Sequence, residues 1–389
     1  MKQKLVVCTV VALGAFLAGV TSNFAQDRPE KTAANQDVVK WSATAEQALA
    51  SSKSGATVPL STYSIVPTKV KSKKAFTGTI VGGNPFSNPP TGSAITAVVV
   101  PTIFDIGGTI FDPTAPNNCD TGYSAVDRFN LSPLVQPVPN LTFNGVNVGT
   151  VQYIDGFMRA EFWNAIGDNP AYSNPISFST AAPITITAGT NGITSGSGCT
   201  LMGEISQSFL NTQISARIQA LTLSGAISPT KLVIFLTSNV VGSSASPPTP
   251  PGTSGCCNWG YHSVTGNPPQ FYIFADYSTA TVFEATNVGI ASHEIAEFMN
   301  DPLLNNSTPA WGGIGSQPGC SGVLEVADPL TAVHASITLN GFTYKTQELA
   351  YFSWFFNSPS TPSLGAGGIF SSNGSLRGPS KDCPSGGTY

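Results

Sequence analysis

A histidine and two glutamates stand close together in the segment Ala291-Ser-His-Glu-Ile-Ala-Glu-Phe-Met-Asn-Asp-Pro302. On a helix, residues four apart point the same way, so His293 and Glu297 can close on one ion from successive turns. Glu294 projects about a quarter turn away. From there its carboxylate can reach a water held by that ion and take the water's proton. This is the chemistry of metal-assisted hydrolysis, with two ligands on one helix and a base between them.

The pattern follows the logic of HExxH zinc peptidases, which add a third ligand from downstream and keep one position open for water. Here Glu297 replaces the second histidine. Carboxylate oxygen binds zinc at ~2.0–2.2 Å, so the exchange is tolerable. It also makes the bound water less acidic and lets harder ions such as calcium or manganese compete. Zn2+ is the expected ion, with another divalent cation as the alternative.

The further ligands are expected just beyond the helix, where Gly322-Val-Leu-Glu-Val-Ala-Asp-Pro-Leu330 supplies Glu325 and Asp328. Glu325 is expected to ligate. Asp328 is either a fourth ligand or the carboxylate that accepts the free N–H of His293, and the two roles can be exchanged. Upstream, Tyr261-His262 offers a group to stabilise a developing oxyanion, and His262 can alternatively ligate. The competing explanation of HEIAE is an ordinary surface helix. Against it, the chain has 3 histidines and only 10% charged residues, yet these charges share a helix whose Val288, Ala291, Ile295 and Phe298 face a core. Charges beside a core face need a partner, and a cation is an economical one. His334 lies in an apolar run and reads as a satisfied core residue.

Strands and helices must position these groups. AITAVVVPTIFD (94–105), KLVIFLTS (231–238) and QFYIFADY (270–277) read as interior strands. In residues 151–167, Ile154, Phe157, Met158, Phe162, Ala165 and Ile166 fall on one helical face, with Asp155 and Arg159 four apart on the other. A second helix is expected from about Met202 to Leu221, striped by Leu210, Ile214, Ile218 and Leu221, and the HEIAE segment forms the third. The Pro/Ser/Gly stretch before Cys256 must be irregular, because prolines cannot donate to ladders or helices. A Gly-rich loop is expected after the HEIAE helix. Strands and helices mix without regular alternation, which predicts an α+β fold.

Lys2 and Lys4, the apolar stretch Leu5 to Val20 and the exit Ser22-Asn-Phe-Ala25 read as a signal peptide, residues 1–25. The chain is therefore expected to be secreted, extracellular or periplasmic, with no membrane span left after removal of the signal. Residues 26–75 are polar and read as an arm or pro-segment, and from Phe76 to Tyr389 the texture is that of a folded domain. Removal of Cys8 with the signal leaves six of the 7 cysteines, an even count that favours disulfides in an oxidising compartment. Adjacent Cys256 and Cys257 are expected to bond different partners, since bridging neighbours strains the backbone. A thiolate zinc site lacks paired CxxC elements. Net charge is −4 and the only basic cluster, Lys69 to Lys74, sits in a linker-like stretch, so no nucleic-acid partner is expected. A monomer acting on a peptide or protein substrate fits this profile.

At HEIAEFMNDPLLNNSTPAW followed by LEVADPL, the chain resembles the EXORDIUM-like, phosphate-induced secreted proteins and their bacterial relatives. The matching positions are His293, Glu294, Glu297, Pro302, Leu303, Asn305, Glu325, Ala327 and Asp328, and CNWGYHS (257–263) looks like the Cys-Gly-x-His element of the same group. The resemblance covers roughly residues 255 to 330. It departs at Val326, where Ile is usual, and at Pro329-Leu330, where Cys-containing loops are typical. It implies a zincin-like mixed sheet with a backing helix near 151–166 and a metal-binding active-site helix. Two functions remain in view: a secreted metal-dependent hydrolase of the zinc metallopeptidase kind with Glu294 as base, and a non-catalytic extracellular or cell-wall-associated protein with a structural metal.

Overall fold

Three of the apolar runs build the centre of the molecule. The computed structural model describes residues 45–67, 74–251, 253, 255–279, 287–356, 363–364, 368–380 and 383. The expected signal peptide and the first part of the arm lie outside them, as does most of the basic cluster. In chain order the elements that matter here are α1 (Ala45–Lys53), β1 (Leu60–Ile65), β2 (Phe76–Val81), β3 (Ile95–Ile106), α2 (Tyr153–Glu161) and β4 (Ile176–Thr180). Next come β5 (Met202–Ser206), α3 (Gln207–Leu223), β6 (Lys231–Ser238), β7 (Val240–Ser243), β8 (Cys256–Asn258), β9 (Gly260–Thr265) and β10 (Gln270–Tyr277). The last are α4 (Gly289–Asn300), β11 (Ser307–Ile314), β12 (Gln317–Val323), β13 (His334–Leu339) and β14 (Phe342–Gln347).

The main sheet runs β9-β10-β6-β3-β4. β10, β6, β3 and β4 are parallel, and β9 lies antiparallel at the edge beside β10. Buried parallel strands carry apolar residues on both faces, and successive side chains leave a strand on opposite sides. Accordingly Val98, Val100, Val233, Phe235, Tyr272 and Phe274 enter one core with Leu210, Ile214 and Ile218 of α3. Ala97, Val99, Leu232, Ile234, Phe271 and Ile273 enter the other, with α2 and α4. The architecture is mixed α+β, with strands dominating. Among the described residues no helix is long and apolar enough to cross a membrane.

Several elements depart from expectation. The helix over 151–167 is two pieces, because Phe162 leaves helical geometry (φ −111°, ψ 19°) before the short turn Trp163–Ile166. Asp155 and Arg159 do not face water. Arg159 donates to the carbonyls of Val148, Asn169 and Tyr172, and Asp155 accepts from Ser173 Oγ and Asn174 N. α2 is therefore buried all round. The expected helix at Met202 begins with β5 instead, since Gly203 to Ser206 pair in parallel with β7 and Met202 to Ile205 pair antiparallel with residues 192–195. The Gly-rich stretch after α4 is a hairpin, β11 and β12. The arm's second half is part of the fold: β1 pairs with β2, and Ala48, Val58, Tyr63 and Ile65 are buried.

The six cysteines form Cys119–Cys199, Cys256–Cys257 and Cys320–Cys383. The adjacent pair thus bonds to itself, contrary to expectation. The peptide joining the two residues is cis, and their Cα atoms lie 3.0 Å apart.

Candidate metal centre

α4 crosses the core directly behind β9 and β10. Ile295 is fully buried and Phe298 packs its ring 5.6 Å from that of Phe271. Burial of each such side chain is worth roughly 1.5–3 kcal/mol, which fixes the rotation of the helix and with it the direction of His293, Glu294 and Glu297. At the start, Asn287 Oδ1 accepts from Val288 N and Lys345 N, and Ser292 Oγ accepts from Gln347 N, tying the first turn to β14. The helix stops at Asp301, whose N–H still donates to Glu297 O. Pro302 follows and disfavours helical geometry in the residue before it. Asp301 Oδ1 then accepts from Asn305 N and Asn306 N, turning the chain sharply away.

Two other segments meet this face. In the turn after β12, the side chains of Leu324, Val326 and Ala327 are fully buried. Their backbone is bonded on both sides, Leu324 N to Asn306 O and Val326 O to Ala350 N. This anchoring turns Glu325 and Asp328 inward. Asp328 Oδ1 accepts from Ser316 Oγ at 2.8 Å, and Glu297 Oε1 accepts from Ala327 N at 3.3 Å. On the edge strand β9, His262 faces the cluster with its Nε2 3.1 Å from Asp301 O. Tyr261, one residue earlier, points to the opposite face and stacks on Phe274 in the other core. The alternative in which Tyr261 stabilises an oxyanion is therefore corrected by strand alternation.

His293 Nε2 lies 3.4 Å from Glu297 Oε2, 3.5 Å from Asp328 Oδ1 and 3.9 Å from Glu294 Oε1. His262 Nδ1 lies 3.5 Å from Glu294 Oε2 and 3.6 Å from Glu297 Oε2. An N–H···O bond prefers ~2.7–3.2 Å. Ligands of a tetrahedral zinc at ~2.0–2.1 Å stand ~3.3–3.4 Å from one another. The contacts of 3.4 and 3.5 Å match that edge, so the residues fit a shared cation. The carboxylates and His262 are buried, and His293 is half-buried at 12% exposure.

Electrostatics agree. Burial alone would lower the pKa of His293, but Glu297 and Glu294, with Asp328 behind them, lift it to about 10. Burial also acts to lower that of His262, and Glu294, Glu297 and Asp301 more than offset it. The carboxylates thus favour positive charge at both rings.

The six residues singled out by sequence, His262, His293, Glu294, Glu297, Glu325 and Asp328, thus converge. Their candidate ligand atoms form two groups, His293 with Glu297 and Asp328, and His262 with Glu297 and Glu325, each within 4.8 Å of one another. His334 belongs to neither; half-buried, it lies against Gly289 at the start of α4. Sequence reasoning missed the supports: Ser316 on Asp328, and the backbone groups of Asp301 and Ala327. Backbone donors and acceptors leave no mark in residue type. No protein-family model, no curated protein and no solved structure matches this chain.

Proposed function

We propose that the chain is a secreted metal-dependent hydrolase of zincin-like architecture that cleaves peptide bonds with Zn2+ as its ion. One observation carries this: His293, Glu297 and Asp328 present ligand atoms at ion-sharing distance while Glu294, on the same helix, abuts them. A bound zinc supplies a Lewis acid and a water of lowered pKa. His293 Nε2, Glu297 Oε2 and Asp328 Oδ1 would hold it, Ser316 Oγ donates to Asp328 Oδ1, and the Glu294 carboxylate would accept a proton from water there. α2 backs the motif helix. The resemblance to the EXORDIUM-like group is consistent with this scaffold and adds the proposal that the chain belongs among those secreted proteins.

A structural metal is the second reading, favoured by the burial of Glu294, whose side chain is only 7% exposed. Glu294→Gln separates the two. Under the hydrolase reading it retains metal and loses cleavage of a mixed peptide library by on the order of 10²–10⁴-fold. Cleavage at the wild-type rate removes Glu294 as base, and a wild type that binds metal but cuts no peptide establishes the structural reading.

A further inference from the structure

The proposed hydrolase site uses three ligands, yet the cluster contains a second complete set. We infer that it holds two divalent cations, one on His293, Glu297 and Asp328 and another on His262, Glu297 and Glu325, with the Glu297 carboxylate between them. The inference rests on the proposed function for the first position and adds the second.

Geometry divides the ligands. The two groups share Glu297 and nothing else. Glu297 Oε2 is the atom that both imidazoles approach, at 3.4 Å from His293 and 3.6 Å from His262. Its other oxygen accepts from Ala327 N, which holds the carboxylate in that bridging attitude.

The tautomer of His262 points the same way. Its Nε2 faces the backbone carbonyl of Asp301, a group that can only accept, so Nε2 carries the proton. In the neutral ring Nδ1 then offers a lone pair, and it is directed at the Glu294 and Glu297 carboxylates from a residue only 6% exposed. Such an Nδ1 needs a proton or a cation between it and the carboxylate oxygens, and its place in the second ligand set suits the cation. Metal-bound histidines commonly donate their other N–H to a backbone carbonyl, and here that partner is in place.

Glu294, Glu297, Glu325 and Asp328 are all buried and lie together. Carboxylates gathered out of water favour a cation among them, and each ligand set offers a place for one. Carboxylate-bridged metal pairs ~3.5–4 Å apart are established hydrolytic centres, so the second ion is compatible with the first one's chemistry.

Metal stoichiometry tests this. The full chain is stripped with a chelator, dialysed against excess Zn2+ and then against buffer, and its metal content measured. Two equivalents are expected for wild type and one for both His262→Ala and Glu325→Gln, with circular dichroism reporting which variants fold. Loading with Mn2+ should give an exchange-coupled paramagnetic signal in wild type that becomes an isolated-ion signal in either variant. One equivalent in wild type, unchanged in both variants, overturns the second position and leaves the hydrolase site standing. Two equivalents that survive both substitutions overturn the ligand assignment. No bound metal at all overturns this inference and the proposed function together.

Discussion

Asp276 offers a quantitative test of the scaffold. It lies near the end of β10, fully buried, with Oδ1 accepting from Val240 N at 3.0 Å where β7 begins. Burial raises its pKa from 3.8 to about 8, against the lowering effect of the backbone N–H groups of Val240 and Asn239. The folded carboxyl therefore keeps its proton across a range in which the unfolded chain has released it. Folding takes up a proton between about pH 4 and 8, so this group's contribution is full below the lower value and is lost as pH rises toward the upper one. From pH 5 to 8 the loss is roughly 3–4 kcal/mol, at about 1.4 kcal/mol per pKa unit. Asp276→Asn keeps the acceptor oxygen for Val240 and has no proton to lose. Urea unfolding of both proteins at pH 5, 6, 7 and 8 should show the variant gaining on wild type by roughly that amount across the series. Parallel curves for the two proteins would refute the claim that Asp276 is protonated in the native state.

Two further outcomes concern the site. With zinc at about a hundred times its dissociation constant, binding stabilises the native state by roughly 2.7 kcal/mol. EDTA should then lower the melting temperature by about 5 °C, at roughly 2 °C per kcal/mol for a chain of this size; an unchanged melting curve speaks against any cation. Gly260→Ala would place a Cβ 2.5 Å from Ile290 Cγ2 and 3.0 Å from Glu294 Oε1. Displacing the base should cut peptide hydrolysis about tenfold or more while metal content stays at the wild-type level. Full activity would show that the edge strand does not position Glu294.

The parts of this fold that follow from local pattern were the legible ones. KLVIFLTS and QFYIFADY are strands β6 and β10 at their expected limits, and β3 is offset by one residue. Apolar runs of that length have little alternative to interior pairing. The site was legible for a related reason: acids and a histidine at helical spacing are conspicuous where charge is scarce. What failed depended on distant partners. Met202 to Ser206 have an ambiguous local pattern, and their strand identity comes from β7 on one side and residues 192–195 on the other, whose approach no local propensity announces. Asp155 and Arg159 looked like an outward ion pair, yet carbonyls at Val148, Asn169 and Tyr172 receive the guanidinium inside. The segment around Leu60 to Ile65 is polar enough to pass for an arm, and it is held by the ladder to β2 and by Tyr63 against Phe352.

The contact between His262 and the carbonyl of Asp301 has a wider meaning. That carbonyl sits at the C-terminal end of α4, where the aligned peptide dipoles place partial negative charge. The imidazole across from it is made a stronger electron donor at its other nitrogen by a helix that supplies three groups of the same cluster. Under the proposed cation site, affinity would thus be adjustable from outside the proposed ligands. Pro302 and Asn305 govern how the helix ends, and changes at either would retune His262 through the backbone, much as a peg alters the pitch of a string it does not touch elsewhere.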